Sequence, residues 1–518
     1  MENLRTLWDD TASKFSELTA VRWLDKKAVC GATYGKLDDK ITNIRKGLLA
    51  TGYSEAHIAI IGESSLQWIS SYLGIVTGTN VAVPLDALLP QKELIDLINR
   101  ADCQVLFLSP KLISLAEPAL QQCKKLKQIW LLQDSYEQNI PNAKIGTLSE
   151  LMDLGKDKAD TDGAAPDSIA TIIFTSGTTG KSKGVMLTQK NLFDNVKNVD
   201  YEEAPGCVMM SVLPIHHAYC LVMDWLKGFS LGAIVCINDS LMHMVRNISI
   251  FRPKVILMVP LMIESIYKRL SSLTELSDEM IYETVFGGNL KIIFTGGAHL
   301  DPFYIDEFKK YGIDIYEGYG MSECSPVITT NTVDNHKPGS IGKPLANVQI
   351  KFVDGEILVK GTSVMKGYYN MPEETSATLE GGWLHTGDKG YLDKDGYLFI
   401  NGRVKNLIIL SNGENVSPEE IENKLGLCPL IAEVIITGNN TGLTANIYPD
   451  DDYAQRQCLN PLDINKELQD YIDKYNYGQP SYRHITNLVV RTDPFIRNTT
   501  GKIKRNDPSI LHEGQNAV

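Results

Sequence analysis

Ile169-Ala170-Thr171-Ile172-Ile173-Phe174-Thr175-Ser176-Gly177-Thr178-Thr179-Gly180-Lys181-Ser182-Lys183-Gly184 decides how this chain is read. The stretch 169–174 is apolar and β-branched, the pattern of a buried strand. It runs straight into hydroxyls, glycines and two lysines. Glycine lets backbone N–H groups approach phosphate oxygens, hydroxyls donate further hydrogen bonds, and lysine supplies charge. Gly180-Lys181-Ser182 matches the end of a Walker A loop, but that motif needs glycine where Thr175 stands. Val185-Met186-Leu187 continues as strand, whereas a Walker loop opens a helix. The stretch reads as a phosphate loop of another kind, with a plain polar hairpin as the structural alternative.

Outward from it, short apolar runs at 57–61, 104–108, 129–132, 254–259 and 291–294 read as buried strands. Helix-like stretches such as 37–49 and 91–100 lie between them, so the expected fold is α/β with largely parallel sheets. After about residue 335 glycines and short strands dominate, with 355–359 and 396–400 as examples of a β-rich subdomain. After Gly402 the texture changes again. Ser417-Pro418-Glu419-Glu420 carries a helix start with an N-cap serine, a first-turn proline and a glutamate placed to close a capping box. Gly426 stops that helix, and a strand over 433–437 and a helix over 463–475 follow. The expected organisation is a large N-terminal domain, 1–403, and a small α+β C-terminal domain, 404–518.

At 518 residues, two or more domains are expected. A formal net charge of −13 argues against general binding to nucleic acid or anionic membrane. The nine cysteines form no C-x-x-C pair and are expected to be buried, reduced thiols. The N-terminus shows no apolar signal-peptide core. The most apolar region, 205–237, is broken by His216, His217, Asp224 and Lys227, so no transmembrane segment is expected. The expected compartment is the cytoplasm.

The loop 175–184 resembles the signature loop of the adenylate-forming superfamily, which includes acyl-CoA synthetases, luciferases and nonribosomal peptide adenylation domains. Ser182 stands where the family usually has proline. Further segments follow in the family's order. Leu213-Pro214-Ile215-His216-His217-Ala218-Tyr219 resembles the segment beside the substrate carboxylate, with His217 on the site position and His216 a satisfied structural side chain. Phe294-Thr295-Gly296-Gly297-Ala298 resembles the adenine turn, in which Gly297 and Ala298 would lie against the base. Tyr316-Glu317-Gly318-Tyr319-Gly320-Met321-Ser322-Glu323 keeps a hydroxyl, Ser322, where the family has threonine. The resemblance implies that Ser322 contacts the α-phosphate, Tyr319 stacks near adenine, Glu317, Gly318 and Gly320 line the nucleotide, and Glu323 ligates Mg²⁺. A solvated surface position remains open for Glu317. Gly382-Trp383-Leu384-His385-Thr386-Gly387-Asp388 resembles the ribose motif, with Asp388 and Arg403 on the ribose. Lys405 would be the hinge of a mobile C-terminal domain, and Lys502, in Asn498-Thr499-Thr500-Gly501-Lys502, the adenylation lysine.

The resemblance covers nearly the whole chain and is nearest to bacterial long- and medium-chain acyl-CoA synthetases. It implies that a carboxylic acid, a fatty acid by this likeness, attacks ATP to give acyl-AMP and pyrophosphate. A thiol then takes the acyl group. Thr175, Ser176, Gly177, Thr178, Thr179, Gly180 and Lys183 would hold the phosphates, and Lys502, His217 and Glu323 would serve the chemistry. The thiol belongs to coenzyme A or to the phosphopantetheine of an acyl carrier protein. A stand-alone enzyme loading an acyl, aryl or amino acid onto a carrier, and a non-catalytic acyl or nucleotide sensor, are the alternatives.

Overall fold

Strand Ile169–Thr175 pairs antiparallel with strand Lys183–Thr188, placing Thr175 opposite Lys183, so the glycine-rich segment joins two strands. The computed structural model describes residues 2–135, 142–175, 182–270, 273, 275–410, 415–439, 442–497, 503–505, 507 and 510. Among these, eight strands form the sheet that holds the hairpin, in the order Gly367–Tyr368, Lys183–Thr188, Ile169–Thr175, Val81–Leu85, His57–Ile61, Val105–Leu108, Gln128–Leu131 and Ile145–Thr147. From Ile169–Thr175 outward to Ile145–Thr147 every pairing is parallel. Helix Gln91–Arg100 buries Leu94, Ile95, Leu97 and Ile98 in the same core as Val83 and Leu106. Apolar residues at this helical spacing give one continuous face to bury.

A second sheet of nine strands is ordered Lys343–Pro344, Val327–Thr330, Asp314–Gly320, Ile292–Thr295, Val255–Met258, Val208–Ser211, Ile234–Ile237, Thr19–Asp25 and Ala28–Thr33. Its central strands are parallel and its edge pairings antiparallel. Strands Ile292–Thr295 and Asp314–Gly320 pair in register, Thr295 beside Glu317, and they lead into Gly296-Gly297-Ala298 and the Ser322–Cys324 turn. Ligands of parallel sheets collect at this carboxyl end of the strands. The glycine-rich region beyond residue 338 forms a smaller sheet of Val348–Val353, Glu356–Gly361, Trp383–Leu392 and Leu379–Glu380, the last two antiparallel, with Leu398–Arg403 paired to Trp383–Leu392.

The chain divides into two compact units. One comprises residues 1–351, 358–385 and 394–398, the other 352–357, 386–393 and 399–518. The smaller unit has its own core. Helices Pro418–Leu425 and Pro461–Tyr477 contribute Ile421, Leu425, Leu468 and Ile472, and a three-stranded sheet contributes Leu443 and Ile447. The fold is the mixed α/β arrangement expected, a large domain of parallel sheets and a smaller C-terminal one.

Two local expectations fail. Ser417 caps no backbone N–H; its hydroxyl donates to Glu419 Oε2 at 3.1 Å, and Glu420 pairs with Arg483 at 2.9 Å instead of closing a capping box. The cysteines are not uniformly buried: Cys458 is exposed and Cys30 and Cys207 are half-buried, although all nine are free. Cys458 takes φ +55° in the turn after helix Asp451–Arg456, which carries its side chain outward. No helix among the described residues is long and apolar enough to cross a membrane.

Candidate active site

The ends of the hairpin are fixed from outside. The Arg100 guanidinium donates to the Ser182 carbonyl and lies over the Phe174 ring, 5.5 Å from its centroid. Ser176, Gly177, Thr178, Thr179 and Gly180 lie outside the described residues, as does Lys502. Lys183 is described. Its Nζ sits over the Tyr368 ring, 4.6 Å from the centroid. The Tyr368 hydroxyl donates to Glu323 Oε1 at 2.9 Å. The larger unit thus brings two of the expected site residues, Lys183 and Glu323, onto one side chain that the sequence reading missed. Burial and the neighbouring Glu323 hold the Tyr368 phenol well above its ordinary range, so it stays a donor.

Glu323 lies in the single turn Ser322–Cys324 and is 8 % exposed. The turn is clamped by Asn195, fully buried on helix Gln189–Asn198, whose amide donates to the Cys324 carbonyl at 3.1 Å and the Val327 carbonyl at 2.8 Å. That helix starts right after the hairpin with a capping box between Thr188 and Asn191. Hairpin and carboxylate turn are therefore coupled through one helix. Gly320 is required before the turn: a Cβ there would stand 2.0 Å from the Pro326 carbonyl oxygen. No group of three or more metal-ligating side chains occurs among the described residues. One buried carboxylate fits a hard cation whose other ligands are phosphate and water oxygens, the usual situation of Mg²⁺ on a nucleotide.

Beside this turn, Gly296 and Gly297 close strand Ile292–Thr295. A Cβ on Gly296 would meet the Gly318 carbonyl oxygen at 2.9 Å, so the two strand ends approach backbone to backbone. Gly297, at φ +83°, faces open space, and Ala298 is exposed. Tyr319 is buried next to them on strand Asp314–Gly320. Small residues with room above them suit a flat base. Two in-register side chains here, Thr295 and Glu317, each bury an oxygen that has no hydrogen-bond partner among the described residues. Water or a bound ligand commonly satisfies such atoms.

Glu317 is not a solvated surface charge: it is 4 % exposed. Burial pushes its carboxyl up to about 8, against the backbone N–H groups of Gly339 and Leu300, which act in the opposite direction. His216 also departs from expectation. Its Nε2 is buried without a hydrogen-bond partner among the described residues, 3.8 Å from Asp86 Oδ2, and burial with the adjacent His217 lowers its pKa to about 3. The two imidazoles lie 4.2 Å apart, centroid to centroid. They precede an eight-residue π-helix, Cys220–Lys227, a rare form that recurs at functional sites.

In the smaller unit, Asp388 and Arg403 come together on the paired strands Trp383–Leu392 and Leu398–Arg403, Nε to Oδ1 at 2.9 Å. Asp388 is buried and Arg403 exposed. Lys405 is exposed in the single turn Val404–Asn406 that follows. Arg497 and Ile503, which flank 498–502, form an antiparallel bridge.

Tyr368, Asn195 and Arg100 are the site residues the sequence reading missed. Gly367-Tyr368-Tyr369 gave the one available signal, an aromatic pair after a glycine; Asn195 and Arg100 sit in ordinary helical sequence.

Comparison with known proteins shows the family. A model of the AMP-binding enzyme family matches residues 8–369, and one of the AMP-binding enzyme C-terminal domain matches residues 405–509. The peroxisomal long chain acyl-CoA synthetase 7 of Arabidopsis thaliana is 27 % identical over 81 % of this chain and 68 % of its own length. The chloroplastic long-chain-fatty-acid–[acyl-carrier-protein] ligase AEE15 of the same plant is 25 % identical over 96 % of this chain and 84 % of its own. The crystal structure of the anthranilate CoA ligase AuaEII with anthranoyl-AMP superposes with a TM-score of 0.82 at 19 % identity, covering 97 % of this chain and 95 % of that one, which shows the fold alone. The chain belongs to the AMP-binding enzyme family, the adenylate-forming superfamily that its motifs resemble.

Proposed function

We propose that this chain activates a fatty acid as its acyl-adenylate and passes the acyl group to the thiol of coenzyme A. The observation that carries the reading is Glu323, buried and held by Tyr368 beneath Lys183 beside the phosphate hairpin. Adenylation joins two anions, so stabilising charge as it develops is the main task. In the first half-reaction a carboxylate oxygen attacks the α-phosphorus of ATP, the bond to the bridging oxygen breaks, and pyrophosphate leaves. Lys183, the hairpin N–H groups and hydroxyls, and Lys502 offset the charge; His217 orients the acid. Mg²⁺ held by Glu323 would supply further electrostatic stabilisation. Asp388 accepts from the ribose hydroxyls and Arg403 supports it. In the second half-reaction the thiol, losing its proton, attacks the mixed anhydride carbonyl and AMP leaves. Lys405 serves as the hinge about which residues 404–518 exchange Lys502 for the thiol.

The long-chain relative supports a fatty acid, and the CoA ligases among the relatives support coenzyme A. The carrier-protein ligase keeps a second acceptor in play, the phosphopantetheine arm of an acyl carrier protein. A non-catalytic sensor is disfavoured, because Glu323, Asp388 and Lys502 are all retained. The nine free cysteines suit a reducing compartment, for which we propose the cytoplasm. AMP release, assayed over fatty, aryl and amino acids with CoA and with holo carrier protein, tests the reading. Turnover confined to fatty acids with CoA supports it; turnover with carrier alone replaces the acceptor.

A further inference from the structure

Tyr368 stands between two opposite charges that the proposed reaction needs separately. Its strand pairs with the strand that begins at Lys183, with Tyr368 opposite Val185 and so diagonal to Lys183. The ring receives the Lys183 ammonium on its face, 4.6 Å from Nζ to centroid, while its hydroxyl donates to Glu323 Oε1 at 2.9 Å. Tyr368 and Glu323 are 5 % and 8 % exposed.

The ring is held by backbone. Gly367 takes φ +143°, where a Cβ would stand 2.7 Å from Thr375 Cγ2, and the Tyr368 N–H donates to Thr375 Oγ1 at 2.9 Å. The Glu323 carbonyl accepts from the Met365 N–H at 2.8 Å, which ties the carboxylate turn to the same segment. Lys183 and Glu323 make no ion pair with each other among the described residues.

A lysine and a carboxylate that share one buried side chain as neighbour attract each other, and an ion pair between them would quench both charges. An aromatic face holds an ammonium without neutralising it, and a phenol holds a carboxylate without a cation. We propose that Tyr368 is a positioning residue, an aromatic spacer that keeps Lys183 and Glu323 apart and charged. The lysine is thereby presented to phosphate oxygens and the carboxylate to the divalent cation. The inference rests on the reading of the site as an ATP–Mg²⁺ site.

The test is ATP binding by titration calorimetry on the full chain, without acid, across a range of Mg²⁺ concentrations, for wild type, Tyr368→Phe and Tyr368→Leu. The phenylalanine variant keeps the ring and loses the hydrogen bond to Glu323. Its half-saturating Mg²⁺ concentration is expected to shift by about tenfold, with ATP affinity at saturating Mg²⁺ nearly unchanged. The leucine variant loses both contacts, and its ATP affinity is expected to fall by about tenfold even at saturating Mg²⁺. Adding Lys183→Ala to Tyr368→Leu should weaken ATP further by less than twofold, because the lysine is already quenched. A Tyr368→Phe curve that superposes on wild type, or equal losses from Lys183→Ala in both backgrounds, overturns the spacer role. Wild-type ATP binding that ignores Mg²⁺ overturns the ATP–Mg²⁺ reading itself.

Discussion

In the larger unit Glu323 is 8 % exposed, bonded by Tyr368 and set in a turn clamped by Asn195, whereas in the smaller unit Asp388 is paired with an Arg403 that is 56 % exposed. Both are carboxylates beside a basic or aromatic partner, yet their surroundings suit different tasks. A buried, fixed carboxylate holds its charge without reorganisation at the moment of reaction, which is where rate is gained. Asp388 is as buried as Glu323, but its partner Arg403 is open to solvent and partly screened, so Arg403 suits orientation of a ligand more than chemistry. The difference separates groups expected to act on kcat from groups expected to act on KM.

The largest effect is expected from Lys502→Ala. Adenylate formation should fall about 10³-fold while thioester formation from a supplied acyl-adenylate stays within a few-fold. Equal loss of both half-reactions would break the division of labour between them. Glu323→Gln comes next, with kcat of pyrophosphate exchange reduced about 10²-fold and most of its Mg²⁺ dependence gone. A change confined to the KM for ATP would move Glu323 into the class of Asp388. Asp388→Asn should raise the KM for ATP about tenfold with little change in kcat, and Arg403→Ala only about threefold.

The remaining effect is on stability and concerns Glu317, whose folded carboxyl lies near 8 against an ordinary value of 4.5. The folded state holds the proton through this window and the unfolded state releases it, so stability is lost as pH rises from about 4.5 to 8. Glu317→Gln removes that titration. Thermal unfolding at pH 5 and pH 8 should show wild type weakening by roughly 1 kcal/mol per pH unit relative to the variant across the window. Parallel pH profiles would mean the carboxyl is solvated after all.

The hairpin and the parallel sheets were legible because β-branched runs bounded by glycine have few other ways to fold. Glu323, Asp388 and Arg403 were legible as motif positions, and the structure brings the last two together. Tyr368 was not, because its role depends on a two-residue strand pairing with Lys183–Thr188, which lies far away in sequence. Asn195 was hidden in the same way: a helical asparagine carries no mark that its amide reaches two carbonyls more than a hundred residues away. The Ser417 capping box failed because Glu420 had a long-range partner, Arg483, that local sequence does not show. The burial of Glu317 was not legible either, since it is set by the strands on either side.

Exchange of labelled pyrophosphate into ATP tests the central claim most directly, since it reports adenylation before any acceptor is involved. The account predicts Mg²⁺-dependent exchange that requires an added carboxylic acid, is greatest with a fatty acid, and is followed by AMP release only when the thiol acceptor is supplied. ATP binding with no exchange for any acid would contradict it and leave a nucleotide-binding protein on this fold.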